Sequence, residues 1–296
     1  MRATVVVNER SSQVGRHLGA LPEMLTARGI DVDAFIIAKD ERELRGHAKR
    51  VVKSKAPLLI VGGGDGSMTT AAGVLAHRKT ALGVLPLGTG NSFAQTLSLP
   101  TDLEAAIDVI AAGRIANVDL GTVNGTYFAN FATIGLSAEI ADAAPHTLKP
   151  IVGAAAYALG GVVPFLRHQP FRARIRFDGA KSTFPTHQIV VANGRYFGSK
   201  PLTPDADVRD GKLAFFTTSG VSHLAVAEMY VAMALGVQTR LPDAITFSAR
   251  KIVIKAKPKQ RVSIDGNAFG TTPVRFGIAR GALRVIVPAA FADAPA

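Results

Sequence analysis

The first third of the chain alternates two hydrophobic patterns. Residues 3–7 (ATVVV), 32–37 (VDAFII), 57–61 (PLLIV) and 81–85 (ALGVL) are short apolar runs rich in branched side chains. Residues 12–28, 40–53, 67–77 and 102–112 instead repeat their apolar positions at helical spacing. Strand and helix in alternation predict a parallel sheet covered on both faces. Ligands of such sheets gather at the carboxyl ends of the strands.

Beyond about residue 115 the pattern changes to strands in succession, at 117–123, 126–133, 171–178, 187–193, 212–217, 244–254, 261–265, 274–277 and 282–287. Helical segments interrupt them near 150–166 and 222–236. The predicted organisation is an α/β N-terminal domain with a parallel sheet over residues 1–115 and a β-rich, mostly antiparallel C-terminal domain over 116–288. A loose tail follows at 289–296. No internal repeat and no long Ser/Gly linker separates the halves, so they are expected to pack with a cleft between them.

Composition narrows the function classes. The chain has 296 residues, 48% hydrophobic and 19% charged, the balance of a globular protein. Lys and Arg outnumber Asp and Glu by 34 to 22, a formal charge of +12 that favours anionic partners without choosing among them. The absence of cysteine excludes disulfides, thiol catalysis and thiolate metal sites. The apolar run before Asn8 is too short for a secretory signal. The longest uncharged stretch, 150–166, is marginally short for a bilayer span and is broken by Gly160, Gly161 and Pro164. A cytoplasmic protein is expected, one that touches the inner membrane face peripherally.

Two loops carry the chemistry. GGGDGS at 62–67 follows one strand, and PLGTGNS at 86–92 follows the next. Glycines let main-chain N–H groups approach a phosphate, and a helix N-terminus adds a favourable partial charge. Neither GxxxxGK[ST] nor GxGxxG is met. Alone, GGGDGS reads equally well as a tight turn with Ser67 capping a helix. Two such loops at neighbouring strand ends are hard to explain as turns.

GGGDGS, followed about twenty residues later by LGVLPLGTGNSFAQTL, resembles the catalytic domain of the diacylglycerol kinase family, which also holds sphingosine kinases and soluble bacterial lipid kinases. The resemblance continues through VVANGRYFGSKPLTPDADVRDGKLAFF (190–216) and VSIDGNAFGTTPVRFGIARGALRVIVP (262–288). It implies a two-domain ATP-dependent kinase of the NAD kinase/diacylglycerol kinase-like fold, with the nucleotide in the interdomain cleft and a lipid hydroxyl as acceptor. Diacylglycerol is the first acceptor it suggests; other hydroxylated lipids stay open. By the same resemblance Gly63, Gly64, Asp65, Gly66 and Ser67 form the phosphate loop, Gly88, Thr89, Gly90 and Asn91 the second nucleotide loop, and Asn8 the first strand end. Asp265 matches the acid that takes the acceptor hydroxyl's proton, and Asp210 an acid implicated in a Mg²⁺ site. Taken alone, Asp265-Gly266 also reads as a hairpin turn.

The sequence departs from the family in two places. NERSSQVGR follows Asn8 where the family has Pro and a Ser-Gly turn, and Asn267 stands where the late motif has Glu. An amide carries no charge to hold a cation, which keeps a catalytically silent lipid- or nucleotide-binding relative as an alternative. An NAD kinase-like enzyme is the enzymatic rival, against which LGTGNSF and the late DGN argue.

Other features have weaker readings. Asp205, Asp207 and Asp210 gather acids in a basic chain, either a divalent-cation site or an exposed loop. The apolar 151–166 segment is either an acyl-chain slot or a core helix. Arg172, Arg174 and Arg176 alternate with apolar residues, and Lys255, Lys257, Lys259 and Arg261 repeat that parity. Such faces suit an anionic membrane surface, at about 1 kcal/mol per basic residue, or guard edge strands. No aromatic–basic motif supports nucleic-acid binding, the seven histidines show no metal spacing, and a homodimer stays open.

Overall fold

The computed structural model describes residues 1–143, 165, 167–197, 200–201, 203 and 206–293. The apolar 151–164 stretch and Asp205 lie outside them. The chain divides into two compact units, the first made of residues 1–120, 208–210 and 279–296, the second of 121–207 and 211–278.

In the first unit β1 (Arg2–Asn8), β2 (Asp31–Ala38), β3 (Leu58–Gly63) and β4 (Ala81–Pro86) form a parallel sheet in the order β2-β1-β3-β4. Every residue of β3 and β4 is buried, which is why their sequences read as continuous apolar runs. Around the sheet lie α1 (Val14–His17), α2 (Leu21–Ala27), α3 (Glu41–Lys53), α4 (Asp65–Leu75), α5 (Ser92–Thr96) and α6 (Leu103–Ala112). Asp40 starts α3 by accepting from Glu43 N at 2.8 Å, and Asp102 starts α6 by accepting from Ala105 N at 2.9 Å. The helix predicted over 12–28 is broken into α1 and α2 by a turn at 18–20. Pro22 lies in the first turn of α2, where a missing N–H costs nothing, and cannot donate back to Leu18 as a continuous helix would require.

Residues 208–210 and 279–293 also belong to this unit. Val285 pairs in parallel with Leu82 of β4. The expected loose tail is instead a short helix at Ala289–Asp293, with Phe291 buried. Arg209 lays its guanidinium 4.6 Å from the Phe291 ring centroid and donates to Phe291 O at 2.9 Å, and Arg114 pairs with Asp293. Those anchors sit far away along the chain, so the tail's own sequence does not announce them.

The second unit holds two antiparallel sheets. The first follows the order β14 (Ala244–Ala249), β13 (Leu213–Thr218), β10 (Gln188–Ala192), β7 (Phe131–Gly135), β16 (Arg261–Ile264), β17 (Asn267–Thr271). In the other, residues 274–277 of β18 (Val274–Ile286) pair with β15 (Lys251–Lys257), β15 with β8 (Phe171–Phe177), and β8 with β9 (Ala180–Thr186). Helices α7 (Leu136–Ala143) and α8 (His223–Leu235) accompany them. Phe128, Phe171, Phe215 and Phe276 share one apolar core with the inward residues of β8 and β15.

Several strand predictions are corrected: 126–133 is broken after Phe128 and resumes at Phe131, and 274–277 with 282–287 is the single strand β18. Residues 244–254 are two strands that change sheet at Arg250. β9 and β17 escape the hydrophobic pattern because their outward residues are polar and β9 carries Pro185, which an edge strand tolerates. The basic parity that begins on β15 ends at Lys257: after Pro258 the chain turns, and Arg261 belongs to β16 in the other sheet. No helix among the described residues is long and apolar enough to cross a membrane.

Candidate active site

The two glycine loops of the first unit interlock. A Cβ added at Gly63 would lie 2.5 Å from Ser67 Oγ, and one at Gly88 would lie 2.4 Å from Gly64 Cα and 2.9 Å from Asn91 Oδ1. No side chain fits there, so the loops run backbone against backbone. Asn91 adopts a left-handed conformation, φ +48°, and wires its own loop: its Oδ1 accepts from Gly88 N at 2.9 Å, and its Nδ2 donates to Gly88 O at 2.9 Å and Pro86 O at 3.2 Å. Gln95 Nε2 holds Gly90 O at 2.8 Å.

Asp65 ties one loop to the next helix. It opens α4, where an acid suits the positive end of the helix dipole. Its carboxylate reaches the start of α5, accepting at Oδ2 from Ser92 N (3.0 Å) and Ser92 Oγ (3.1 Å) and at Oδ1 from Phe93 N (2.9 Å). Ser67 is not the helix cap; Gly64 is, and the buried Ser67 hydroxyl accepts from Asn8 Nδ2 at 2.9 Å. Asn8 Oδ1 in turn accepts from Arg10 N at 3.1 Å, which fixes the turn after β1. Exposed Thr89 meets Ser12 Oγ at 3.1 Å. Asn8, Gly63 to Ser67 and Gly88 to Asn91 are thus brought together, with main-chain N–H groups of a helix start and two loops concentrated at adjacent strand ends.

These contacts give the first expected result. Gly88→Ala forces Gly64 and Asn91 to move, and overpacking of this kind costs about 1–3 kcal/mol. Thermal unfolding should show a Tm lower than the parent's. An unchanged Tm would show that the two loops do not touch.

Asp265 lies in the second unit, at the hairpin between β16 and β17. Asp265 and Gly266 both have positive φ, +45° and +78°, the left-handed pair that a two-residue hairpin demands. Its buried carboxylate turns back to the strand start at β7: Oδ2 accepts from Ala129 N at 2.8 Å, and Oδ1 from Asn130 N at 3.0 Å and Phe131 N at 2.9 Å. Main-chain donors therefore hold this acid in one orientation. Asn267 is exposed, with its Nδ2 3.5 Å from Asp265 O.

Asp210 is half-buried in the first unit, beside Arg209 and Val208. Among the described residues no group of three or more His, Asp or Glu is arranged to hold a metal ion. Sequence reasoning missed the buried Asp119, which accepts at Oδ1 from Gly281 N and whose own N–H donates to Val208 O, both at 2.6 Å. It pins the segments that return to the first unit; its signal was one acid inside the buried strand 117–123. The reading also missed His168, His187 and His223 of the second unit, whose rings approach to 5.4 and 6.3 Å between centroids. Burial lowers the His187 pKa below its ordinary value, and the neighbouring histidines add to the effect. Tyr230, bonded to Gln188 Oε1 at 2.9 Å, is pushed up to about 12 by burial.

A parallel α/β unit with two interlocked glycine loops, in one chain with an antiparallel β unit, defines the NAD kinase/diacylglycerol kinase-like class of fold. Comparison with known proteins agrees. Residues 2–123 match the diacylglycerol kinase catalytic domain, and residues 130–287 match the YegS C-terminal NAD kinase beta sandwich-like domain. A diacylglycerol kinase of Staphylococcus epidermidis RP62A is 33% identical over 237 residues, covering 77% of this chain and 73% of the relative. One from Staphylococcus aureus RF122 is 30% identical over 285 residues, covering 93% and 89%. A solved structure from Bacillus anthracis str. Sterne superposes with a TM-score of 0.80 at 25% identity over 98% of both chains. The chain belongs to the diacylglycerol kinase catalytic-domain family, a family of lipid kinases.

Proposed function

We propose that the protein is an ATP-dependent lipid kinase that moves the γ-phosphate to a lipid hydroxyl, with diacylglycerol as the first acceptor to test. The observation that carries this reading is the pair of interlocked loops, where Gly63 and Gly88 leave no room for a Cβ and two glycine-rich main chains meet at adjacent strand ends, beside the N-terminus of α4. Such a cradle fits a chain of phosphates, whose transfer depends on positioning and charge neutralisation. Gly63 to Ser67 and Gly88 to Asn91 bind and orient the nucleotide, and Asn8 ties the turn after β1 to the first of these loops through Ser67.

In the transfer the acceptor oxygen attacks the γ-phosphorus, and the bond from that phosphorus to the bridging oxygen breaks, releasing ADP. Asp265 takes the hydroxyl proton, a role for which its oriented carboxylate is suited. A divalent cation such as Mg²⁺, if bound with ATP, would supply charge neutralisation, and Asp210 is the residue that would hold it.

The experiment is incubation of purified protein with γ-labelled Mg-ATP and a total lipid extract, with products identified by mass. Label is expected in an organic-phase phospholipid. Label in an aqueous dinucleotide would instead identify an NAD kinase-like enzyme, and nucleotide binding without transfer would identify a catalytically silent relative.

A further inference from the structure

The strand register of the second unit assembles a cationic surface that no single strand reveals. In β8 the side chains of Phe171, Ala173 and Ile175 are buried in the core while Arg172, Arg174 and Arg176 are exposed. The adjoining strand places Lys257 opposite Arg172 and Lys255 opposite Arg174. On the other side β9 sets Lys181 opposite Arg176. Lys251, on the same face of β15, lies opposite Gly277, and Arg275 of β18 lies opposite Val253. Strands about 4.8 Å apart and same-face residues about 6.7 Å apart turn these side chains into a close lattice of positive charge.

Nothing described neutralises it. The only acid in 171–186 and 251–261 is Asp178, whose carboxylate accepts from Arg250 N at 3.0 Å and Lys251 N at 3.1 Å. Among the described residues none of these lysines and arginines enters an ion pair. Like charges directly opposite in an antiparallel sheet are unfavourable, so Lys257–Arg172, Lys255–Arg174 and Arg176–Lys181 oppose folding unless an anion lies over them. Protection of an edge strand accounts for Lys181 on β9 but not for the rest: β8 and β15 are both paired on both sides.

We propose that this sheet face is the docking surface for an anionic phospholipid bilayer. An extended array of long, exposed cationic side chains on one sheet face is complementary to a plane of headgroup phosphates, and the absence of aromatic side chains among its exposed positions gives nucleic-acid bases nothing to stack on. The proposal rests on the lipid-kinase reading for its purpose, since the acceptor of such an enzyme resides in a membrane, but not for its test.

Flotation of the full chain with phosphatidylcholine vesicles, with and without phosphatidylglycerol, reads the surface directly. The parent should float only with the anionic vesicles, less so as salt rises. Arg172→Gln, Arg174→Gln and Arg176→Gln together should lower partitioning on the order of 100-fold, about fivefold for each charge. Removing the same charge from the exposed face of α3, with Arg45→Gln, Lys49→Gln and Lys53→Gln, should leave partitioning within a few-fold, which separates a located patch from net charge. Should the first variant not fold, Lys255→Gln with Lys257→Gln tests the same face. Parental flotation in the sheet variant, equal loss in the α3 variant, no binding to anionic vesicles, or tighter binding to RNA at equal salt would each overturn the proposal. Phosphorylation of diacylglycerol in nonionic detergent micelles should be the same in parent and sheet variant. If no lipid is phosphorylated while the sheet variant still loses flotation, the kinase reading fails and the docking surface stands.

Discussion

Asp265→Asn is expected to lower turnover by about 10²–10⁴-fold, the span lost with a general base. The substitution keeps the size of the side chain and a residue type that tolerates left-handed backbone, so the hairpin at φ +45° survives. What changes is the electrostatics. An amide offers one acceptor oxygen, whereas the native carboxylate accepts with both, from Asn130 and Phe131 at Oδ1 and from Ala129 at Oδ2. If the Asn oxygen keeps the Asn130 and Phe131 bonds, its NH₂ meets the Ala129 N–H, and a buried donor goes unsatisfied at about 1–3 kcal/mol. Turnover must therefore be referred to the folded fraction, from a denaturation curve on the same preparation. A base makes kcat fall with little change in the KM for ATP. Turnover within tenfold of the parent after that correction would remove Asp265 from the chemistry and leave it as the clamp that seats the 129–131 segment.

The same residue shows how sequence and structure divide the information. DG between two apolar strands is a hairpin signal, and the hairpin forms; the resemblance to a family of kinases marks the same acid as a base. Neither reading contains the 129–131 main chain, more than a hundred residues earlier, which fixes where the carboxylate points. The parallel sheet is legible because β3 and β4 are apolar throughout and α3 buries one face and exposes the other, both local properties. The pattern over 12–28 reads as one helix because periodicity continues through 18–20, although Pro22 cannot donate the bond that a single helix needs. β15 and β8 each show their basic parity locally, but the register that sets Lys255 against Arg174 joins strands some eighty residues apart. Only the fold makes a surface of two stripes, and only the fold shows that Arg261 does not share it.

Asp65→Ala should produce the opposite kinetic signature, a rise of at least tenfold in the KM for ATP with kcat on saturated enzyme changed far less. In the native loop both carboxylate oxygens are engaged at the start of α5, where the N–H groups of Ser92 and Phe93 have no partner within their own helix. Ser92 and Phe93 are buried, so removing the acid strands two donors at about 1–3 kcal/mol each and frees the GTGN loop from the GGGDG loop. Thermal unfolding should report the first loss and nucleotide titration the second. Asp65→Asn restores one acceptor oxygen and should recover part of both. A carboxylate that acts through loop geometry is rescued by a neutral acceptor; one that removes a proton is not, because the amide has no basicity to offer. Complete loss of turnover in Asp65→Asn at saturating ATP, with Asp265→Asn near parental, would move the base from the hairpin to the glycine loop.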